Sequence, residues 1–412
     1  MAKKSERNII TGLDIGTSKV VALIGEVTQD GAIEIIGIGR HPSRGLKRGV
    51  VVDIEATVNS IQRAVQEAEL MAGCEVRTVY AGIAGSHIRS LNSHGIVAIR
   101  DHEVSPADVE RVIEAAKAVV VPADQKILHI LPQEFIIDNQ GSIREPAGMA
   151  GVRLEARVHI VTGAVSAAQN IAKCVRRCGL EVNDIILEQL ASSHAVLTDD
   201  EKELGVCLID IGGGTTDIAV FAEGAIQHTA VIPIAGDQVT NDIAMALRTP
   251  TKTAEAIKVR HACAMPELAN NNEMIEFMSV NERPGRKISA KTLAEVVAAR
   301  YEELFYLVRN ELNRSGFADR LAAGMVITGG GANVQGGMEL AEMCFEMPVR
   351  HGCAHYVSGL AEATTDPALA TGVGLLLHSY KQQYEGTYSV PTLNDTSKSV
   401  WSRMREWFQG NF

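Results

Sequence analysis

The chain has 412 residues, which is long enough for two or three hydrophobic cores. A hydrophobic share of 46% with 22% charged residues is typical of a soluble globular protein and excludes a disordered or fibrous one. The formal net charge of −11 disfavours a general affinity for nucleic acid, because phosphate binding needs a basic surface.

The N-terminus and the cysteines indicate the compartment. The opening residues, MAKKSERNII, are basic but run into a strand-like segment, so we expect no signal peptide. No apolar run approaches the roughly 20 residues of a membrane-spanning helix. Seven scattered cysteines indicate a reduced, cytosolic compartment. We interpret Cys174 and Cys178 as small buried thiols and His351, Cys353 and His355 as a strand or loop edge, with a metal site as the alternative in each case.

The first part of the chain predicts strands, one helix and a further strand. Two or three strands follow one another over residues 9–39. The segment DIEATVNSIQRAVQEAELMAG then has the apolar spacing of a helix, with Gly73 as its stop. TVYAGIAG is a buried strand.

Residues 85–163 predict a small α+β unit inserted into this first half. Its strands are HGIVAIR, KILHILPQEFIID and LEARVHIVTG, and its helix starts at a Ser-Pro pair in SPADVERVIEAAKAVV. A helix (SAAQNIAKCVRRCG), a strand (VNDIILEQ) and the start of another helix (ASSHAVL) follow.

The second half repeats the order of the first. A predicted hairpin, CLIDIGGGTTDIAVF at 207–221, has the same pattern of residues as TGLDIGTSKVVAL at 11–23. A helix-rich region (239–263), the long helix SAKTLAEVVAARYEELFYLVRNELNRSG, the strand GMVITGGGA and the helix DPALATGVGLLLHSY come next. Residues 381–399 are polar and irregular and predict a linker.

The repeated hairpin has the residues of a phosphate-binding site. In each copy an Asp, Asp14 or Asp210, ends an apolar strand and is followed by Ile-Gly and a turn rich in hydroxyls. Glycines allow backbone N–H groups to approach an anion, and successive N–H groups form a concave nest. A carboxylate beside phosphates implies a divalent cation between them. Two ordinary hairpins with glycine turns are the alternative, and the P-loop pattern is absent.

The motifs together resemble a known superfamily. LDIGTSK, LIDIGGGTTDI, VITGGGA and PALATGVGL resemble, in order, the phosphate-1, phosphate-2, adenosine and second connecting motifs of the actin-like ATPases. SRGLKRGVVVDIEAT, AGDQVTNDIA and AEAIKVRHACA are similar to segments of the FtsA family of bacterial cell-division proteins. The resemblance implies an α/β actin-like fold: two duplicated halves around a nucleotide cleft, with a small α+β subdomain inserted in the first half.

The same resemblance implies the boundaries of the subdomains. Residues 1–84 and 164–197 would form the first half, 85–163 the inserted subdomain, 198–236 and 306–380 the second half, and 237–305 its smaller subdomain. Residues 381–396 would be a linker and 397–412 an amphipathic membrane-targeting helix.

The resemblance also implies which residues bind ATP and Mg²⁺. Asp14 and Asp210 would hold Mg²⁺ through water and contribute to the nucleotide site. The other expected nucleotide contacts are Gly16, Thr17, Ser18, Lys19, Gly212, Gly213, Gly214, Thr215, Thr216, Gly236, Glu255, Lys258, Gly329, Gly330, Gly331 and Asn333. Glu255 and Lys258 are alternatively an exposed i, i+3 ion pair.

Glu188 falls on the position that orients the attacking water in chaperone ATPases of the superfamily, and a carboxylate there could polarise that water. The next residue is Gln189 and not the proline usual in those chaperones. We therefore expect ATP binding with slow or negligible turnover.

The last residues, SKSVWSRMREWFQGNF, predict an amphipathic helix on a membrane surface. Apolar residues at helical spacing share one face, and the segment carries both tryptophans of the chain and excess basic charge. A helix docked on its own domain is the alternative. The expected membrane contacts are Val400, Trp401, Arg403, Met404, Arg405, Trp407 and Phe408.

The resemblance implies a membrane adaptor of cell division. Such a protein polymerises on the cytoplasmic face of the inner membrane at the division septum, tethers the FtsZ ring there and recruits later divisome proteins. Arg286 and Arg300 are candidates to bind the acidic C-terminal peptide of FtsZ, or else they are solvated surface charges. A small-molecule kinase and a pilus-assembly ATPase on the same fold are the alternative functions.

Overall fold

The computed structural model describes residues 8–270, 272–279 and 285–384. The predicted tail helix at 397–412, with its expected membrane contacts, lies outside these ranges. Part of the predicted linker also lies outside them, but its first residues, 381–384, belong to the last described helix.

The first half begins with an antiparallel hairpin, as predicted, and ends with a helix that leads to the second half. Its elements before the insertion are β1 (Ile9–Ile15), β2 (Lys19–Val27), β3 (Ile33–Pro42), β4 (Leu46–Lys47), β5 (Val50–Val51), α1 (Ile54–Ala72) and β6 (Thr78–Ile83). The elements of the insertion are β7 (Arg89–Ala98), α2 (Pro106–Lys117), β8 (Gln125–Ile137), β9 (Gln140–Ile143) and β10 (Arg153–Ala164). The chain then returns through α3 (Val165–Arg177), β11 (Glu181–Leu187) and α4 (Glu188–Val196).

The second half has the second hairpin near its start. Its elements are α5 (Asp199–Leu204), β12 (Val206–Ile211), β13 (Thr216–Ala222), β14 (Ala225–Ile232), α6 (Gly236–Leu247), α7 (Thr251–His261), β15 (Met274–Phe277), β16 (Arg286–Ser289), α8 (Ala290–Ser315), β17 (Met325–Thr328), α9 (Gly337–Phe345), β18 (Val349–His351), β19 (Val357–Gly359), α10 (Glu362–Thr365) and α11 (Ala370–Tyr384).

Local signals set the ends of the predicted helices. The carboxylate of Asp53 accepts a hydrogen bond from the Ala56 N–H at the start of α1, and Gly73 ends that helix in the left-handed conformation with φ 65°. Ser105 forms a capping box with Asp108 at the start of α2. Several boundaries differ from the prediction: α4 begins at Glu188, a residue of the predicted strand VNDIILEQ, α2 ends at Lys117 and not at Val120, and α11 begins at Ala370 and not at Asp366.

The two halves have the same sheet topology. The strand order β11-β6-β1-β2-β3 in the first half matches β18-β17-β12-β13-β14 in the second. In each sheet a three-stranded antiparallel meander is joined to two parallel strands. This equivalence is the structural counterpart of the repeated hairpin, and it places the ends of β1 and β12 at corresponding positions.

The insertion has its own sheet and its own core. Its strands pair in the order β7-β10-β8-β9, and α2 packs on one face. Hydroxyl and amide groups of its strands also reach the edge strand β14: the Ser90 hydroxyl donates to the Thr229 carbonyl over 2.9 Å, and the Gln133 amide donates to the Ile226 carbonyl over 2.9 Å.

The end of the described chain returns to the first half. The predicted boundaries placed residues 306–380 in the second half, but β19 pairs in parallel with β3 at the edge of the first sheet. Helix α11 shares a core cluster with residues of both sheets, including Leu23 of β2 and Leu208 of β12. Helix α4 contributes Ala195 and Val196 to the same cluster. Helices α4 and α11 therefore join the halves.

Candidate functional site

A cavity of about 310 Å³ lies between the two halves, where the hairpin turns meet. The loop after β1, the loop after β12, the first residue of α4, the helices α6 and α7 and the glycine turn after β17 all contribute to its wall. The predicted residues that line it are Asp14, Gly16, Thr17, Ser18, Lys19, Glu188, Asp210, Gly212, Gly213, Gly214, Thr215, Gly236, Glu255, Lys258, Gly329, Gly330, Gly331 and Asn333.

The two hairpin turns approach each other so closely that a side chain would not fit between them. A Cβ atom built on Gly213 would lie 2.7 Å from the Cβ of Ser18, and one built on Gly214 would lie 2.6 Å from the hydroxyl oxygen of Thr17. Both contacts are shorter than van der Waals contact. The turns therefore form two facing walls of one cavity, with backbone and small side chains exposed on both.

Four carboxyl groups face the same space. They belong to Asp14, Asp210, Glu188 at the start of α4 and Asp217 on β13. Burial raises the pKa of Asp14 to about 6, with the Asp210 carboxylate adding to the rise and Lys19 opposing it. Burial also raises the pKa of Asp217 to about 8, and again Asp210 contributes.

The pKa values of Glu188 and Asp210 are also raised. The pKa of Glu188 lies well above its usual value because of burial and the neighbouring Asp14, Asp217 and Asp210. Burial raises the pKa of Asp210 as well, while hydrogen bonds from Ser192 and Thr371 oppose the rise. A buried group of carboxylates is unfavourable unless cations or protons compensate it.

Lys19 brings a positive charge to this group. Burial lowers the pKa of its ammonium group, and the carboxylates of Asp14 and Asp366 partly offset this effect. The ammonium group donates a hydrogen bond of 2.5 Å to the Ala368 carbonyl, in the turn before α11. The lysine of the first hairpin thus reaches the connection between the halves.

Glu255 and Lys258 form an ion pair of 2.7 Å, and the pair lines the cavity. The Lys258 ammonium group also donates to the Gly236 carbonyl over 3.1 Å and to the Thr240 hydroxyl over 2.9 Å. The i, i+3 ion pair is thus present, but it lies in the cavity wall and its Lys258 side chain is only 19% exposed.

The glycine turn after β17 closes another side of the cavity. Gly329 has a positive φ of 82°, and a Cβ there would lie 2.3 Å from Asp210 Oδ1. The Tyr301 hydroxyl donates to the Gly331 carbonyl over 2.8 Å. The Asn333 amide lies 3.4 Å from an Asp366 carboxylate oxygen. The turn therefore presents bare backbone next to the Asp210 carboxylate.

Among the predicted nucleotide contacts, Thr216 does not line the cavity. It is fully buried on β13, and its hydroxyl donates to the Ile234 carbonyl over 2.7 Å. Three further residues that line the cavity, Asp217, Tyr301 and Thr371, were not among the predicted ones. Asp217 is the third carboxylate associated with the hairpins, and its place inside the apolar stretch TTDIAVF was the available signal.

The carboxylates do not form a direct metal cage. Within residues 8–270, 272–279 and 285–384, no group of three or more His, Cys, Asp or Glu side chains is arranged to hold a metal ion. The seven thiols are free, with Cys174 buried and Cys178 half-buried. Asp217 lines the cavity, and its Oδ1 is buried and has no hydrogen-bond partner in the protein.

Arg286 and Arg300 have partners within the protein. The Arg300 guanidinium forms two hydrogen bonds with the Asp242 carboxylate, of 2.6 and 3.0 Å, and its side chain is 25% exposed. Arg286 lies 5.7 Å from the centre of the Phe277 ring and donates to the Leu247 carbonyl over 3.2 Å. Both fall within residues 237–305, the predicted smaller subdomain, and neither lines the cavity.

None of the helices within the described residues is both long and apolar enough to cross a membrane.

Comparison with solved structures identifies the fold. The protein in the structure of the PilM-PilN type IV pilus biogenesis complex aligns with a TM-score of 0.65 at 16% identity, covering 90% of this chain and 98% of that one. MreB5 of Spiroplasma citri, solved bound to ADP, aligns with a TM-score of 0.54 at 16% identity, covering 91% of this chain and 98% of that one. The predicted actin-like fold is thereby confirmed.

Comparison of sequences identifies the family. A family model described as "Cell division protein FtsA" matches residues 207–374, and one described as "SHS2 domain inserted in FTSA" matches residues 85–162. The cell division protein FtsA of Pseudomonas aeruginosa is 62% identical over the full length of both chains. That of Neisseria meningitidis is 48% identical, over 99% of this chain and all of its own. The chain belongs to the FtsA family of cell-division proteins, and the predicted insertion is the SHS2 domain of that family.

Proposed function

We propose that the chain binds ATP in the cavity between its halves and turns it over slowly or not at all. The observation that carries the proposal is the close approach of the two hairpin turns, with Lys19 and four carboxyl groups around one cavity. The backbone N–H groups of the turns would bind the phosphates, and Glu255 and Lys258 would contact the sugar. MreB5, a neighbour in fold, is solved with ADP.

The residues around the cavity fit a hydrated Mg²⁺ ion. Asp14 and Asp210 would hold the ion through its water molecules, and the unpartnered Oδ1 of Asp217 offers a further acceptor. Mg²⁺ keeps several waters in most protein sites, which agrees with carboxylates that do not form a direct cage. When bound, the ion would neutralise part of the phosphate charge.

Slow turnover follows from the state of Glu188. This side chain would orient the water that attacks the terminal phosphate, and only its ionised form can accept a proton. Its raised pKa favours the protonated form in the nucleotide-free cleft. We therefore expect bound ATP to be hydrolysed slowly or not at all.

We further propose that the protein polymerises on the cytoplasmic face of the inner membrane at the division septum, tethers the FtsZ ring there and recruits later divisome proteins. The tail segment, with Trp401 and Trp407, would lie in the lipid headgroups. One such helix binds weakly, and the many copies in a filament would make attachment firm.

Arg286 and Arg300 would contribute cations to a site for the acidic C-terminal peptide of FtsZ. Arg300 would share its guanidinium among Asp242, Glu303 and the peptide, because its three hydrogen bonds to these two carboxylates leave two of its five N–H donors available. Membership of the FtsA family favours this division role over a kinase or a pilus-assembly role.

Electron microscopy of the full chain on anionic lipid monolayers tests the proposal. Ordered rows of protein are expected when ATP, Mg²⁺ and the tail are all present. A variant truncated before residue 397 should bind ATP normally but form no rows on lipid. Rows that form equally well without the tail, or without nucleotide, would contradict the membrane or the nucleotide part of the proposal, respectively.

A further inference from the structure

The Asp210 carboxylate is held by two hydroxyl groups from the two helices that join the halves. The Ser192 hydroxyl, on α4, donates to Asp210 Oδ2 over 2.6 Å, and the Thr371 hydroxyl, near the start of α11, donates to the same oxygen over 3.1 Å. The two hydroxyl oxygens are 3.0 Å apart. All three residues are buried, with Ser192 fully so.

This arrangement depends on a close crossing of α4 and α11. A Cβ built on Gly374, one turn after Thr371, would lie 1.8 Å from the Ala191 carbonyl oxygen, so the two helix backbones are in contact there. Ser192 follows Ala191 on α4. It also lies four residues after Glu188, which places both side chains on one face of the helix. The crossing therefore determines whether both hydroxyls reach Asp210.

The hydroxyls have other acceptors if Asp210 moves away. Ser192 Oγ lies 3.0 Å from the Glu188 carbonyl, and Thr371 can donate to Ser192. Each hydroxyl carries one hydrogen, so donation to the carboxylate and donation to these alternatives exclude each other. Releasing Asp210 leaves neither hydroxyl without an acceptor, so the exchange avoids the cost of a buried unpaired donor.

We infer that Ser192 and Thr371 are positioning residues that couple the helix crossing to the nucleotide site. They hold Oδ2 of Asp210, so that Oδ1 remains directed at the glycine turn of Gly329, where an added Cβ would lie 2.3 Å from it. When α4 and α11 separate, the two hydroxyls release Asp210. Conversely, when Asp210 is held in place, the close crossing of α4 and α11 is favoured. This inference rests on the proposed binding of Mg²⁺ and ATP.

The test compares nucleotide affinity with and without Mg²⁺ in the full chain. A fluorescent ATP analogue is titrated into the wild type, Ser192→Ala and Thr371→Val, in excess Mg²⁺ and in EDTA. Loss of a hydrogen bond to a charged group should weaken binding in Mg²⁺ about tenfold for Ser192→Ala, and less for the longer bond of Thr371. Binding in EDTA should change less than about twofold, because the phosphate nests remain intact.

The chain offers matched controls on both helices. Ser193 is as buried as Ser192, but its hydroxyl donates to the Leu190 carbonyl over 2.7 Å. Ser379, on α11, donates to the Leu375 carbonyl over 2.5 Å. Ser193→Ala and Ser379→Ala should leave the ratio of the two affinities unchanged. Thr371→Ser keeps the hydroxyl and should restore the wild-type ratio.

The outcomes separate this inference from the proposed function. A wild type that binds no nucleotide would refute both. The inference alone would be refuted if the wild type binds nucleotide and the two variants, Ser192→Ala and Thr371→Val, bind with the same affinity as the wild type. It would also be refuted if the affinity of both variants falls by the same factor in Mg²⁺ and in EDTA. If one variant fails to fold, as judged by its thermal unfolding, the variant on the other helix and the Thr371→Ser rescue decide.

Discussion

Replacing Gly374 with alanine tests the crossing of the two helices that join the halves. The added Cβ would lie 1.8 Å from the Ala191 carbonyl oxygen and 2.2 Å from its carbonyl carbon. An ordinary carbon–oxygen contact is about 3.3 Å or more, so α4 and α11 would have to separate by about 1.5 Å. Both sides of the clash are backbone, and no rotamer change relieves it.

The expected cost follows from two opposing terms. Overpacking a buried contact costs about 1–3 kcal/mol and sometimes more. Replacing glycine by alanine inside a helix gains about 1 kcal/mol. Because the clash involves backbone on both helices, we expect Gly374→Ala to lower the free energy of unfolding by about 2 kcal/mol net. Separation of the helices should also weaken binding of ATP in Mg²⁺, because it moves Thr371 away from Ser192.

Gly372 provides the control on the same helix. A Cβ there would lie 2.8 Å from Leu23 Cδ1, and its three nearest neighbours are all side-chain atoms of Leu23 and Val21. Gly372→Ala receives the same gain in helix propensity without the backbone clash. Urea unfolding and titration with the fluorescent ATP analogue would compare the two variants. A Gly374→Ala protein as stable as Gly372→Ala, with unchanged nucleotide affinity, would refute the close crossing.

Three further predictions concern the cavity and the smaller subdomain. Gly213→Ala should weaken ATP binding by about tenfold or more, because its Cβ would lie 2.7 Å from the Ser18 Cβ. Gly141→Ala, whose Cβ would lie 3.2 Å from a carboxylate oxygen of Glu134 and 3.8 Å from Ile136 Cγ1, should bind like the wild type. The raised pKa of Asp217, about 8 against an ordinary value of 3.8, means that nucleotide-free protein loses stability as the pH rises from about 4 to about 8, because the folded state binds the proton more tightly. Asp217→Asn should reduce the slope of this dependence in urea unfolding, with the remainder due to the other buried carboxyl groups, and an unchanged slope would contradict the assignment. Charge reversal at both Arg286 and Arg300 should abolish binding of the FtsZ C-terminal peptide in fluorescence anisotropy, whereas reversal of Arg309, which pairs with Glu346, should not. Unchanged affinity after the double reversal would remove both arginines from the site.

The duplicated core could be predicted because its signals are local. Each hairpin has an apolar strand, an Asp and a glycine turn within about a dozen residues, and each long helix has its own cap and apolar spacing. Glycine turns after strands also indicate where the backbone is approached closely. These features are sufficient to bring most of the predicted nucleotide contacts to one cavity.

The features that were missed depend on contacts between distant segments. β19 is three residues long and pairs with β3 more than 300 residues earlier, so no local pattern reveals it. β13 is buried on both faces, and alternation therefore cannot show that Asp217 faces the cavity. Thr371 lies in an apolar helix, where a single threonine is usually a core residue. Only the crossing of α4 with α11 gives it a carboxylate to bind.

The electrostatics of the cavity imply that cation and nucleotide binding depend on each other. Burial is the main cause that raises the pKa of all four carboxyl groups, those of Asp14, Asp210, Asp217 and Glu188. The ammonium group of Lys19 opposes this rise for Asp14 and Asp210. Triphosphate added to ionised carboxylates would be repelled at short range in a buried site. Protons or a divalent cation must therefore compensate the charge. Protonation would leave Asp14 and Asp210 unable to hold the hydrated ion, so Mg²⁺ and ATP should enter together and displace the protons of these two carboxyl groups. The hydrogen bonds of Ser192 and Thr371 to Asp210 connect this exchange to the crossing of α4 and α11.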